Sequence, residues 1–224
     1  MSLNNNLIKK INAVLIFLVL INAAACASGQ VEDSSAKGNS KTLFKDNGSS
    51  AEKTTDSKKY TDMLVDIKSY STNGSYYQNK YEKLLLSMAG EIIEGQDLDV
   101  SKGSIGFYFD KKSARTDRLF FGVDINIVRD STLDYGRFSV KLIKENVSGL
   151  VDLVYKYKTL LNENEIVGIV VGFKWQESGS AQQVNIWIKK EDLQLFYEGK
   201  ITLNEMYQRS TITNSIGKII LLPI

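Results

Sequence analysis

The order of apolar and polar positions divides the 224-residue chain into three parts. Residues 11–21 are apolar apart from Asn12, residues 27–59 are almost entirely polar, and residues 60–224 alternate apolar and polar positions with helix and strand periods. Periodic patterns of this kind indicate packed secondary structure. The third part is therefore predicted to be a single folded domain, of a size that can bury a substantial core.

Within residues 60–224, the spacing of apolar residues predicts both helices and strands. Helices are predicted over 60–70, 76–93 and 140–161, followed by two short ones over 191–200 and 202–210. Strands are predicted over 104–110, 118–128, 165–176 and 183–190, with a final strand or hairpin within 211–223. A polar loop between the first two strands favours an antiparallel hairpin. The predicted class is α+β, an antiparallel sheet of four to five strands packed with several α-helices.

The beginning of the chain has the parts of a bacterial lipoprotein signal. Two lysines precede the apolar run, three alanines follow it, and Cys26 comes next. The run of residues 11–21 is shorter than the roughly 20 residues that a membrane-spanning helix needs, and small residues before a cleavage point are typical of secretory signals. We therefore predict a signal peptide over 1–25 and a lipid-modified Cys26. The alternative is an ordinary signal peptide followed by a coincidental cysteine.

Residues 26–59 are interpreted as the lipidated cysteine and a flexible tether. Ser, Gly, Asn, Asp and Lys dominate the segment, and its only sizeable apolar residues are Val31, Leu43 and Phe44. A segment of this composition cannot bury enough apolar surface to offset the entropy lost on ordering. As a random coil it would span about 30 Å, which would hold a domain clear of a membrane. The alternative is a disordered terminus with no spacing role.

Charge and residue content exclude several functions. The chain carries 28 basic and 26 acidic residues, and removal of residues 1–25 takes away two lysines, so the mature protein is formally neutral. Neutrality argues against nucleic acid as a partner and provides no polybasic patch for a membrane. Attachment to the bilayer is therefore assigned to the lipid on Cys26.

The absence of histidine and the single cysteine limit the catalytic chemistry. If Cys26 is lipidated, nucleophilic triads and zinc sites built from His and Cys are excluded. Carboxylate-only chemistry is left, with Asp124, Asp134, Glu163 and Glu165 as its candidates, and no pattern selects a pair among them. No glycine-rich phosphate loop follows a strand. We expect no enzyme, no cofactor and no metal site.

Alternation along the strands suggests one surface of interest. Each of the strands 118–128, 165–176 and 183–190 has one apolar face and one mixed face, and Gly122, Gly168 and Gly172 on the mixed faces would let a ligand approach the backbone. As a binding surface, the mixed faces offer two aromatic anchors and four polar contacts: Tyr108, Trp187, Asp124, Asn126, Lys174 and Asn185. The alternative is that another helix or loop covers the mixed faces, or that they are simply solvated.

The lipoprotein signal, the polar tether and the helical segments rich in Lys, Asn and Ile resemble the surface lipoproteins of Borrelia, the Lyme-disease spirochaetes. The segment NENEIVGIVVGFKW, which follows YKYKTLL, is most similar to the paralogous family called the S antigens. Ala23 stands where most lipoprotein signals have Leu, as in the relaxed signals of spirochaetes. The resemblance implies a lipid-anchored outer-membrane protein at the cell surface with Cys26 lipidated, for example by palmitate, and with a role at the host interface. It supplies no catalytic residues.

Three functions are therefore carried forward. The first is a non-enzymatic surface lipoprotein that binds a host or environmental macromolecule, such as a host protein or a matrix component, for host interaction or immune evasion. The second is a structural or assembly lipoprotein that faces the periplasm. The third is a binder of small ligands or carbohydrate that uses the mixed faces, and it requires a concavity near Trp187.

Overall fold

The computed structural model describes residues 59–109 and 117–224. The predicted signal peptide, Cys26 and all of the predicted tether except Lys59 lie outside the described residues. The described part contains four α-helices: α1 (Gly74–Gly90), α2 (Tyr135–Lys156), α3 (Lys190–Tyr197) and α4 (Leu203–Arg209). Together with a six-stranded sheet, these helices confirm the predicted α+β class.

The strands are β1 (Asp99–Val100), β2 (Gly106–Phe109), β3 (Leu119–Asn126), β4 (Ile166–Glu177), β5 (Ser180–Lys189) and β6 (Thr211–Asn214). Their order is β1-β3-β4-β5-β6, and β2 also pairs with β3. The sheet is mixed rather than wholly antiparallel, because β3 and β4 run parallel while the other pairs are antiparallel. The reason is α2, which lies between β3 and β4 in the chain and supplies the long crossover that parallel neighbours need.

The long helix α2 begins at a side-chain cap. The carboxylate of Asp134 accepts a hydrogen bond from the backbone N–H of Arg137, which satisfies one of the free donors of the first turn. Gly149 does not break the helix, although glycine lowers helix propensity. After α2, a 3₁₀ turn over Lys158–Asn162 leads into β4. The helix α1 continues in the same way into a π-helical turn over Glu91–Gly95.

The predicted helix over 60–70 is wrong. This segment forms two short 3₁₀ turns, Thr61–Met63 and Ile67–Ser69, separated by extended backbone. Leu64 pairs in parallel with Ile105, and the N–H of Val65 donates to the carbonyl of Ile105 at 2.9 Å. Pairing with the sheet edge thus replaces the internal hydrogen bonds that a helix would have made.

All four helices pack on one face of the sheet. Met88 of α1 and Leu150 of α2 meet Phe121 of β3 and Val171 of β4, and α3 and α4 contact β4 and β5. These side chains belong to one continuous core. Leu119, Val123 and Ile125 of β3 and Val184, Ile186 and Ile188 of β5 are buried in this core, as alternation along the strands predicted.

The alternation of β4 differs from the prediction at its first two residues. Ile166 is buried and Val167 is half-buried, whereas alternation placed Val167 on the apolar face. The pairing with β3 shifts here, because Leu119 lies opposite Ile166 and Phe120 lies opposite Gly168. The extra residue is a bulge, which reverses the faces of the residues before it.

The chain turns between β4 and β5 at Ser178 and Gly179, both with positive φ, as short hairpin loops require. At the β6 edge of the sheet, the C-terminal tail returns beside β6, where Ile219 pairs with Thr213. None of the helices in the described ranges has both the length and the apolar character that a membrane crossing would require.

Candidate functional site

The mixed faces predicted from the strands form one continuous surface, because the strands are in register. Asp124, Gly172, Asn185 and Thr213 lie side by side across β3, β4, β5 and β6. The other residues of the mixed faces form similar rows across the strands, parallel to this one. We call this surface the open face: Tyr108, Phe120, Gly122, Asp124, Asn126, Gly168, Val170, Gly172, Lys174, Gln183, Asn185, Trp187, Lys189, Thr211 and Thr213.

No described helix lies on the open face. Asn126, Lys189 and Thr211 are exposed, and Lys174 and Trp187 are partly exposed. If Gly122, Gly168 and Gly172 each carried a Cβ atom, the atoms nearest to it would belong to neighbouring strands and not to a helix. Of the alternatives raised for the mixed faces, cover by an α-helix is not observed in the described part of the chain. The segment before α1, which forms no α-helix, does reach this side at the β2 margin, where Val65 and Tyr70 lie over Gly106.

The three glycines have a different role from the predicted one. A Cβ on Gly122 would lie 2.5 Å from the ring of Tyr108, and a Cβ on Gly168 would lie 2.2 Å from the carbonyl oxygen of Ile188. A Cβ on Gly172 would meet the side chain of Asp124 at 2.0 Å. The space above these glycines is thus filled by the sheet itself and is not free for a ligand.

A polar network crosses the centre of the open face. Lys174 Nζ lies 2.6 Å from Oδ2 of Asp124, and Gln183 Nε2 donates to Oδ1 of Asp124 at 3.2 Å and to Oδ1 of Asn185 at 2.7 Å. Asn185 in turn donates to Oγ1 of Thr213 at 3.3 Å. The side chains of four strands are therefore fixed to one another, and the single carboxylate is matched by the single ammonium group.

The two predicted aromatic anchors lie apart. Trp187 packs edge-on against Phe120 at 5.1 Å between ring centroids, and its Nε1 donates to Oγ1 of Thr213 at 3.1 Å. Tyr108 lies over Gly122, and its hydroxyl donates to the carbonyl oxygen of Ser104 at 2.6 Å. Burial, and secondarily the nearby charge of Asp124, raise the pKa of Tyr108. The tyrosine is therefore a neutral hydrogen-bond donor at ordinary pH.

The sixth predicted residue, Asn126, lines a depression at one end of the open face. Its Oδ1 accepts a hydrogen bond from Oγ of Ser101 at 2.6 Å. The depression has a volume of about 470 Å³ and is open to solvent. Lys174 and Gln183 also line it, whereas Trp187 does not. The concavity is thus displaced along the strands from the tryptophan where a small-ligand site was expected.

The structure brings Asp124, Lys174 and Asn185 into one network and leaves Tyr108 outside it, whereas Trp187 is joined to the network through Thr213. Sequence reasoning missed Gln183, although it lies two residues before Asn185 and therefore points to the same side. It also missed Thr213, whose position depends on the pairing of β5 with β6 and has no local signal.

The four candidate carboxylates serve as local structural partners. Asp134 caps α2, and Asp124 pairs with Lys174. Glu165 accepts from Nδ2 of Asn73 at 3.1 Å, while Glu163 pairs with Lys80 at 2.6 Å and also accepts from the hydroxyl of Tyr81. The hydrogen bonds from Lys80 and Tyr81 lower the pKa of Glu163, so this carboxylate is not held protonated as a general acid would be.

Comparisons of the chain with protein-family models, with curated proteins and with solved structures returned no match. The features available for a functional argument are therefore the sequence at the start of the chain and the open face of the sheet.

Proposed function

We propose that this protein is a non-enzymatic lipoprotein of the outer membrane, anchored through Cys26 and displayed at the cell surface. Its folded domain binds a macromolecule outside the cell, such as a host protein or a matrix component, in host interaction or immune evasion. Anchoring and orientation rest on the signal-like residues 1–26 and on the resemblance to spirochaete surface lipoproteins.

The observation that carries the binding role is the open face. A sheet with helices on one side normally buries its other side as well or covers it with charged and polar residues. Here the uncovered side holds Trp187 and Phe120, half-exposed, beside a neutral polar network. Partly exposed aromatic groups next to fixed polar groups are the composition that protein interfaces favour.

The tail beside β6 adds exposed apolar side chains at the edge of this surface. Ile219 pairs with Thr213 of the open face and is 51% exposed, and Leu221 is 95% exposed. Apolar side chains at the edge of such a surface extend the area that a large partner could cover. A macromolecular partner therefore suits this face better than a small molecule alone.

Surface display is tested by adding proteinase K to intact cells that express the protein, with permeabilised cells as the control. The polar composition of residues 27–59 predicts ready cleavage wherever protease reaches them. Loss of the protein from intact cells is expected. Survival until the outer membrane is opened would instead support a structural or assembly lipoprotein that faces the periplasm.

Lipidation is tested separately by feeding cells an alkyne analogue of palmitate and comparing the natural protein with Cys26→Ser. The natural protein should carry the label and sediment with membranes. The serine variant should lose the label, because the acyl chain is attached through the thiol or depends on processing at that cysteine. Equal labelling of both proteins would overturn the assignment of Cys26.

A further inference from the structure

The depression beside Asn126 has a lining that differs from the rest of the open face. Amide side chains predominate on the open-face side of the strands, namely Asn126, Gln176 and Gln183, together with Lys174 and Ser215. An amide group offers both a donor and an acceptor in one plane. Several amides around one concavity can therefore bind a ligand that presents paired donors and acceptors.

Part of this hydrogen-bonding capacity is unused within the protein. Gln176 makes no side-chain hydrogen bond to another described residue, and for Asn126 only Oδ1 is engaged, by Ser101. Gln183 is held in place by its bonds to Asp124 and Asn185, which leave its own Oε1 unengaged. The site thus combines one amide fixed by the network with others that are available to a ligand.

The charge of the site limits the chemistry of that ligand. Lys174 is the only charged residue among the described lining residues, and its ammonium group lies 2.6 Å from the carboxylate of Asp124. An anionic ligand would meet a positive charge that Asp124 already neutralises, and a cation would meet no carboxylate in this lining. Charge complementarity therefore favours a neutral ligand rich in hydroxyl groups.

We propose that this depression is a subsite for a neutral saccharide, such as a hexose unit of a glycan. Vicinal hydroxyl groups match the paired donor and acceptor of Asn and Gln side chains, and the volume of about 470 Å³ lies in the range of small-ligand sites. The exposed side chain of Val128 lies just beyond Asn126 and can contact the apolar face of a sugar ring. This inference rests on the proposed binding role of the open face, and it assigns the glycan portion of the partner.

The test uses the full-length lipoprotein, purified in detergent, with ¹⁵N in its Asn and Gln side chains. Maltohexaose, cellohexaose and chitotetraose serve as neutral probes, and a heparin-derived hexasaccharide serves as the anionic probe. At least one neutral probe should shift the amide signals of Asn126 and Gln176 saturably at concentrations up to about 20 mM, which corresponds to weak binding. Absence of shifts with all the neutral probes, or shifts with heparin alone, would overturn the proposal.

The variant Gln176→Leu supplies a second criterion. Its side chain is not bonded within the described part of the protein, so the fold should be unaffected. The variant should weaken binding several-fold, as expected for the loss of a neutral hydrogen bond. Gln182→Leu is the matched control, because Gln182 lies opposite Trp175 and points to the other side of the sheet, and it should bind as the natural protein does. Unchanged binding by Gln176→Leu would place the saccharide elsewhere.

The outcome is separable from that of surface display. Binding of a neutral probe by a protein that protease cannot reach on intact cells would retain the subsite and reject the external partner. Digestion at the cell surface without saccharide binding would retain surface display and reject the subsite.

Discussion

Asp124 lies directly over Gly172, so that a Cβ atom on Gly172 would be only 2.0 Å from Oδ1 of Asp124. The polar network of the open face exists because this position lacks a side chain. The carboxylate of Asp124 bends over the neighbouring strand to meet Lys174 and Gln183. Glycine is therefore required here for the packing of side chains, and neither a turn nor a positive φ is involved.

The first prediction compares the free energy of unfolding of three variants in which one glycine is replaced by alanine. Gly168→Ala should be the most destabilising, because the added Cβ meets the backbone carbonyl of Ile188 at 2.2 Å and a strand backbone cannot move aside. Gly172→Ala should lower the free energy of unfolding by about 1–3 kcal/mol, less than Gly168→Ala, since the end of a flexible side chain can shift.

The control for these variants is Gly95→Ala, since no atom of a described residue outside its own helical turn lies within 4 Å of the added Cβ. Its free energy of unfolding should change by less than about 0.5 kcal/mol. Urea titration monitored by tryptophan fluorescence measures all three variants. If Gly168→Ala proved as stable as Gly95→Ala, the tight contact of β4 with β5 at this position would be refuted.

The second prediction concerns two tyrosines with opposite expected effects. The hydroxyl of Tyr207 is buried and makes no hydrogen bond in the described part of the chain, whereas that of Tyr108 donates to Ser104 at 2.6 Å. Burial, chiefly, raises the pKa of Tyr207 to about 12. An unsatisfied buried hydroxyl costs stability, while a satisfied one contributes to it.

Tyr207→Phe should therefore raise the free energy of unfolding by about 1 kcal/mol, and Tyr108→Phe should lower it by a similar amount. Thermal and urea unfolding of both variants measure the difference. A fall in stability for Tyr207→Phe would mean that the hydroxyl has a partner, such as a buried water molecule.

Much of this architecture follows from local sequence patterns. The helices α1 to α4 and the strands β2 to β5 lie where apolar spacing predicts them, because each buries one continuous side against a common core. The division into a core face and an open face also follows from alternation along β3, β4 and β5. These features depend on residues a few positions apart.

The features that sequence reasoning missed depend on contacts between distant residues. The segment 60–70 has helical spacing, yet Leu64 pairs with Ile105 some forty residues away. The parallel pairing of β3 with β4 depends on how α2 crosses the sheet. The roles of the three glycines became evident only when the side chains of neighbouring strands were in place, and the depression depends on Ser215 beyond β6.

A repeated sequence feature underlies the third prediction. Three Lys-Tyr pairs each hold one glutamate: Lys59 and Tyr60 bind Glu94, Lys80 and Tyr81 bind Glu163, and Lys156 and Tyr157 bind Glu91. In every case the ammonium group and the phenol contact the same carboxylate oxygen. These contacts fasten α1 and the turn after it to the start of the domain, to the segment before β4 and to the end of α2.

Two of these glutamates should make stability depend on pH. For Glu91, burial opposes ionisation, but hydrogen bonds from Lys156 and Tyr157 outweigh it and the pKa is lowered. For Glu163, the hydrogen bond from Lys80 is the main cause of its lowered pKa. A carboxylate with a lower pKa in the folded state contributes stability above its unfolded pKa of about 4.3. That contribution is lost as the pH falls through the folded pKa.

The double variant Glu91→Gln/Glu163→Gln should therefore be less stable than the natural protein at pH 7, and the two should converge as the pH falls from about 5 to 3. Urea midpoints across this range measure the effect. Glu82→Gln, at an exposed position of α1 with no ion pair among the described residues, is the control and should leave the profile unchanged. A constant difference between natural and variant protein at every pH would contradict the assignment.

The fourth prediction tests the ion pair at the centre of the open face. Lys174 and Asp124 are partly shielded, with side chains 40% and 19% exposed, whereas both partners of the Lys59–Glu94 pair are 59% exposed. Double-mutant cycles with Lys174→Met and Asp124→Asn should give a coupling energy of up to about 1 kcal/mol that decreases with added salt. The cycle for Lys59→Met and Glu94→Gln should give a smaller coupling energy. Equal coupling in the two cycles would mean that the open face does not shield its charges, and the argument for a neutral ligand at the depression would lose its electrostatic basis.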